Sequence, residues 1–136
     1  MNKCIIIIDE NLDTGIIANV ASILSLSIGN KIDSLIGNDI TDKQGLIHSG
    51  LTQLPIPVLG ANGQKIKEVI TAVKNNEEIL TFDFNNFSKK AKTYEEYISF
   101  LQNASKNDIL YLGIALYGQK KKVDRVTKGL TLLAKK

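Results

Sequence analysis

Residues 1–136 predict one α/β domain, a three-layer α/β/α sandwich. Three observations carry this. Cys4 to Ile8 is an apolar, mostly β-branched run without alternation, as in a strand covered on both faces. A second such run, Ile109 to Tyr117, lies near the other end of the chain. Between and after them fall segments of helical spacing, giving the order β-α-β-α-β-α-β-α. The two most apolar strands, first and fourth, belong at the centre of the sheet.

The chain opens on the first strand, and Asp9, Glu10, Asn11 and Asp13 then break it. Asp13 or Thr14 is placed to cap the first helix. The 17 residues from Thr14 to Asn30 carry no charge. Ile16, Ile17, Val20, Ala21, Ile23, Leu24 and Ile28 form a broad apolar arc. Gly15, Ala18, Ser22, Ser25 and Gly29 form a small-residue stripe opposite, expected to be covered. A neighbouring element of the same chain is the plainest cover; a ligand or the second subunit of a homodimer is the alternative.

From Lys31 to Ser49 the signals are turns, with a short hairpin expected between Ile40 and Ile47. His48 invites a catalytic reading, but no partner residue is recognisable beside it, and a structural role is the simpler one. Leu51 to Leu59 reads as the second strand. Its Pro55 and Pro57 cannot donate to a ladder, which places it at a sheet edge. Asn62 caps a second helix with Ile66, Val69, Ile70 and Val73 inward. Ile79 to Phe84 is the third strand and the other edge, with Asp83 near its end. A basic loop, Lys89-Lys90-Ala91-Lys92, follows. Thr93 and Glu96 form a capping-box signature for a third helix whose inner stripe is Tyr94, Tyr97, Ile98 and Leu101. After the fourth strand, Val123, Val126, Leu130 and Leu133 mark the buried side of a last helix. Lys120, Lys121, Lys122, Arg125 and Lys128 lie outside it.

Composition excludes several classes. A hydrophobic fraction of 43% with 23% charged residues is that of an ordinary globular protein. One cysteine and one histidine leave no disulfide framework and no metal-ligand constellation, so neither a metal nor another cofactor is expected. The uncharged helix is too short and too rich in Ser and Gly to be a membrane span. No cleavage site follows the N-terminus, so a cytoplasmic location is expected. Charge is uneven: residues 119–136 hold seven basic side chains against Asp124 alone, while the rest of the chain is mildly acidic.

Two resemblances follow. The opening strand, acidic turn and small-residue helix resemble the start of the type-2 peptidyl-tRNA hydrolases of archaea and eukaryotes. Leu112-Gly113-Ile114 and the segment Lys122 to Leu133 are similar to that family's last strand and helix. Closer still, Leu51-Thr52-Gln53-Leu54-Pro55-Ile56-Pro57-Val58-Leu59 and Gly15-Ile16-Ile17-Ala18-Asn19 resemble the domain-of-unknown-function 2000 family, which shares the hydrolase-like fold. The resemblance implies a four-stranded mixed sheet of order 2-1-4-3 with the last strand antiparallel. It does not carry the hydrolases' chemistry. Aligned on Gly15, the family's lysine, glutamine and histidine positions hold Ile16, Val20 and Ile23. Asp83 matches the acidic residue, and the family's threonine falls near Phe87. Peptidyl-tRNA hydrolysis is therefore not expected.

Three functions compete. The first is binding of a small ligand or partner beyond the carboxyl ends of the strands, within reach of Asp9, Glu10, Asn19, Asn62 and Asp83. The second is an enzyme of altered chemistry using Asp9 and Asp83 as a carboxylate pair. The third is RNA or tRNA binding through the basic face of Lys120, Lys121, Lys122, Arg125 and Lys128.

Overall fold

A computed structural model describes residues 1–76 and 78–134. Its first strand, β1 (Asn2–Asp9), is the centre of the molecule. Alternate side chains feed two cores. Cys4, Ile6 and Ile8 face α1 (Thr14–Lys31), while Ile5 and Ile7 face α2 (Gly63–Val73) and α5 (Lys120–Val126). Cys4 to Ile8 are all at most 1% exposed, which is why the run shows no alternation.

The main sheet has five strands in the order β5-β6-β1-β4-β7. Here β4 is Val58–Ala61, β5 Leu80–Asn85, β6 Tyr111–Gln119 and β7 Thr131–Leu132. Among the described residues, β1 and β4 pair in parallel and the other three pairings of this sheet are antiparallel. A separate antiparallel pair, β2 (Ile40–Thr41) and β3 (Ile47–His48), forms the expected hairpin.

Several expectations are corrected. The sheet has five strands, not four, because the last helix ends early. α5 ends at Val126, and a turn follows in which the Leu130 N–H donates to the Thr127 carbonyl at 3.1 Å with Gly129 at φ +87°; the chain then runs back beside β4. Leu130 and Leu133 therefore do not continue a helical stripe. The second strand is shorter than Leu51–Leu59 and is not an edge. Its prolines precede the ladder: Pro57 gives only its carbonyl, to the Ile6 N–H at 3.0 Å, and β7 takes the far side of Val58 to Gly60. Part of the basic loop is helical, as α3 (Asn86–Lys90), capped by Asn85. In α4 (Tyr94–Gln102), Tyr94 is 72% exposed, so it is not core.

The small-residue stripe of α1 is not covered by this chain. Gly15, Ala18, Ser22 and Gly29 are exposed, and no heavy atom lies within 4 Å of a Cβ built on Gly15 or Gly29. Of the expected covers, an element of the same chain is therefore excluded.

Candidate functional site

The chain places a depression of about 340 Å³ where β1 ends, lined by Asp9, Gly63, Gln64, Lys67, Asn107, Ile109, Leu110, Tyr111 and Leu112. Its walls come from four segments. Asp9 belongs to the α2 side of β1, in step with Ile5 and Ile7. Its Oδ1 accepts from the Asn11 N–H at 3.0 Å, which turns the chain away from the sheet. Opposite, Asn62 Oδ1 accepts from the Lys65 N–H at 2.8 Å and fixes the first turn of α2, which carries Gln64 and Lys67 to the rim.

The third wall is a 3₁₀ turn, Lys106–Asp108, which carries Asn107. Ser105 donates its backbone N–H to Asp108 Oδ2 at 2.9 Å and its hydroxyl to the same oxygen at 3.0 Å. Both bonds favour the charged carboxylate and hold Asp108 below its usual pKa. Asn86 then clamps the segment before β6. It donates its amide to the Asp108 carbonyl at 3.1 Å and accepts from the Leu110 N–H at 2.8 Å. Tyr111 opens β6, the fourth wall. Burial, and secondarily the Asp83 carboxylate, raise its pKa, so the phenol remains a donor at neutral pH.

The depression thus offers a carboxylate, two primary amides, a phenol O–H and the Lys67 ammonium, which forms no ion pair among the described residues. Ile109, Leu110 and Leu112 supply apolar surface between them. Such a mixture suits a small molecule with both donors and acceptors.

The residues expected to share a cleft are only partly assembled. Asp9 lines the depression and Asn62 shapes its α2 wall. Asp83 lines another hollow, of about 450 Å³, with Tyr94 and Tyr97, and no residue borders both. Its Oδ2 accepts from Asn85 Nδ2 at 2.8 Å. Glu10 lies over Gly60, its Oε2 3.0 Å from a Cβ built there. Asn19 is exposed on α1. Alternation along β1 parts Glu10 from Asp9, because successive side chains of a strand point to opposite faces. Gln64, Lys67, Asn107 and Tyr111 were not singled out by sequence reasoning. A helix start facing the end of a buried strand was the available signal for Gln64 and Lys67.

Of the basic face, Lys120 pairs with Asp124 at 2.7 Å and Lys122 pairs with Glu78. Lys3 also reaches Asp124, at 2.6 Å. Lys121, Arg125 and Lys128 are exposed, while Lys135 and Lys136 lie outside the described residues. His48 does have a partner: its Nε2 is 2.8 Å from Asp42 Oδ2. Asp42 also accepts from the Gln44 and Leu46 N–H groups, so the pair belongs to the turn between β2 and β3. Among the described residues, no group of three His, Cys, Asp or Glu side chains is placed to hold a metal, and no helix is long and apolar enough to cross a membrane.

Fold and depression together define an α/β protein with a five-stranded mixed sheet and an open, polar-rimmed hollow at the end of its central strand. The family described as protein of unknown function (DUF2000) matches residues 2–134, and the chain belongs to it. A solved structure of a protein of unknown function, Atu0240 from Agrobacterium tumefaciens strain C58, is similar in fold. Its TM-score is 0.89 at 22% identity, with 98% of each chain covered. No curated protein matches.

Proposed function

We propose that this protein binds a small polar ligand in the depression at the end of β1, and that it keeps a type-2 peptidyl-tRNA hydrolase-like fold without that reaction. The carrying observation is the convergence of Asp9, Gln64, Lys67, Asn107 and Tyr111 from four separate segments on one hollow. Its volume, about 340 Å³, is at the small end of ligand sites. It also lies beyond a strand's carboxyl end and before a helix start, where α/β sheets collect ligands. Kinship with the hydrolase fold is supported by the run β4-β1-β6-β5, in which β6 alone is reversed.

The reaction is a different matter. Of the three positions matching the hydrolases' functional side chains, Val20 is fully buried and Ile16 packs on the α1-side core. Neither these nor Ile23 can donate a proton or carry charge. Asp9 and Asp83 line different hollows, although the Asp83 carboxylate acts on Tyr111, a wall of the Asp9 hollow.

A thermal-shift screen with small acids, amides, sugars and nucleosides tests the binding reading. Binding raises the melting temperature by mass action. Compounds that stabilise the wild type should lose their effect on Asp9→Ala and Lys67→Ala. Stabilisation that survives in both variants would place binding elsewhere.

A further inference from the structure

Taking the depression at the end of β1 as the ligand site proposed for it, we infer that its ligand is a zwitterion: a small amino acid with an aliphatic side chain. Two charges line the hollow, the Asp9 carboxylate and the Lys67 ammonium. They have opposite sign, yet they do not pair with each other. Asp9 Oδ1 accepts from the Asn11 N–H, and its Oδ2 has no partner among the described residues. Lys67 Nζ has none among them either.

The neighbouring charges are engaged elsewhere. Lys65, on the same helix, lies 3.8 Å from Glu68. Asp108 is held by the Ser105 N–H and hydroxyl. Glu10 lies over Gly60, parted from Asp9 by the alternation along the strand.

One charge of each sign decides the class of ligand. A molecule that enters takes water from both groups, and an ion desolvated without a counter-charge is costly. A dicarboxylate or a phosphate ester would answer Lys67 and repel Asp9. A diamine would do the reverse. A neutral sugar or amide would leave both charges without a counter-ion. A zwitterion answers both: its carboxylate meets Lys67 and its ammonium meets Asp9, each through a charge-assisted hydrogen bond. The side-chain amides of Gln64 and Asn107 make no hydrogen bond among the described residues, and each can serve either end of such a molecule. Ile109 and Leu112, both half-buried, and the exposed Leu110 supply an apolar wall. An aliphatic side chain gains by burial against that wall, and glycine does not. The volume, about 340 Å³, suits one small molecule.

Amide chemical-shift titrations of the full chain test this with five probes. Leucine carries both charges and the aliphatic group. Isocaproate lacks the ammonium, isoamylamine lacks the carboxylate, isocaproamide is neutral, and glycine lacks the side chain. Leucine should move the amides of Gly63, Gln64, Asn107 and Tyr111 and bind at least about tenfold tighter than the other four. Asp9→Asn, which keeps the acceptor for Asn11, should abolish the advantage of leucine over isocaproate. Lys67→Gln should abolish its advantage over isoamylamine. Should either variant fail to fold, the five probes on the wild type still decide. If any other probe bound at the same amides as tightly as leucine, or the advantage of leucine survived both substitutions, the amino acid would be overturned while the depression remained a ligand site. A leucine titration that moves no amide would also overturn the amino acid, and the broader thermal-shift screen would then judge the depression by itself. Leucine shifts gathered at Tyr94 and Tyr97, whose hollow also holds one carboxylate, Asp83, and one lysine, Lys92, would overturn both readings.

Discussion

Single side chains already separate what is chemical here from what is structural. Cys4 is fully buried in β1, and burial pushes its thiol up to about 11, so it is neutral and shielded. A disulfide reagent at mildly alkaline pH should label it only as fast as the fold opens, with rates rising steeply in denaturant. Rapid labelling of native protein would contradict this placement. Asp124 makes the opposite case. Lys120 and then Lys3 hold its pKa below the ordinary 3.8. Because the folded value is depressed, the contribution is fully present above the unfolded value and fades as pH falls through the folded one. Asp124→Asn should therefore destabilise at neutral pH, and its difference from the wild type should begin to shrink as pH falls below 3.8 and vanish only once pH is below the lowered folded value. Urea melts at several pH values read this directly.

Between elements, the tightest constraint is where α1 crosses the sheet. A Cβ built on Gly113 of β6 falls 2.7 Å from Val20 Cγ1, so only glycine lets the helix lie this close. Gly113→Ala should cost about 1–3 kcal/mol by overpacking. Adding Val20→Ala should recover part of that, a coupling that a double-mutant cycle in urea would measure. Strictly additive losses would deny the contact. Ser22→Phe, by contrast, should be nearly neutral in the isolated chain, since that face of α1 is open.

The same elements show what was legible in the sequence. The buried runs of β1 and β6, and the caps at Asn62 and Thr93, were readable because each is a local signal with one physical meaning. The short α3 was missed, although Asn85 followed three residues later by Ser88 is a capping pair. The strand β7 was missed because Val123, Val126, Leu130 and Leu133 keep helical spacing past Val126, where the helix ends, and through the Thr127–Leu130 turn that follows it. The prolines misled because their effect depends on where the ladder starts, which is a tertiary fact. Of the candidate site, Asp9 was legible as the end of a buried strand. Asn107 and Tyr111 were not, because only folding brings the 3₁₀ turn and β6 beside α2.

At the scale of the whole molecule, charge does not single out RNA. Two lysines of the basic helix are tied to Asp124 and Glu78. Reversing the three exposed ones, in Lys121→Glu/Arg125→Glu/Lys128→Glu, should leave tRNA retention at low salt as small as in the wild type. Filter binding over a salt series checks this, and a steep, charge-dependent signal would restore an RNA partner. Peptidyl-tRNA turnover should stay at the uncatalysed rate when assayed beside a working hydrolase. The central claim, a small polar ligand held at the end of β1, is tested most directly by amide chemical-shift mapping with a stabilising compound from the screen. The amides of Gly63, Gln64, Asn107 and Tyr111 should move together on titration and fall still in Asp9→Ala. Shifts gathered instead around Tyr94 and Tyr97, or unchanged by Asp9→Ala, would contradict it.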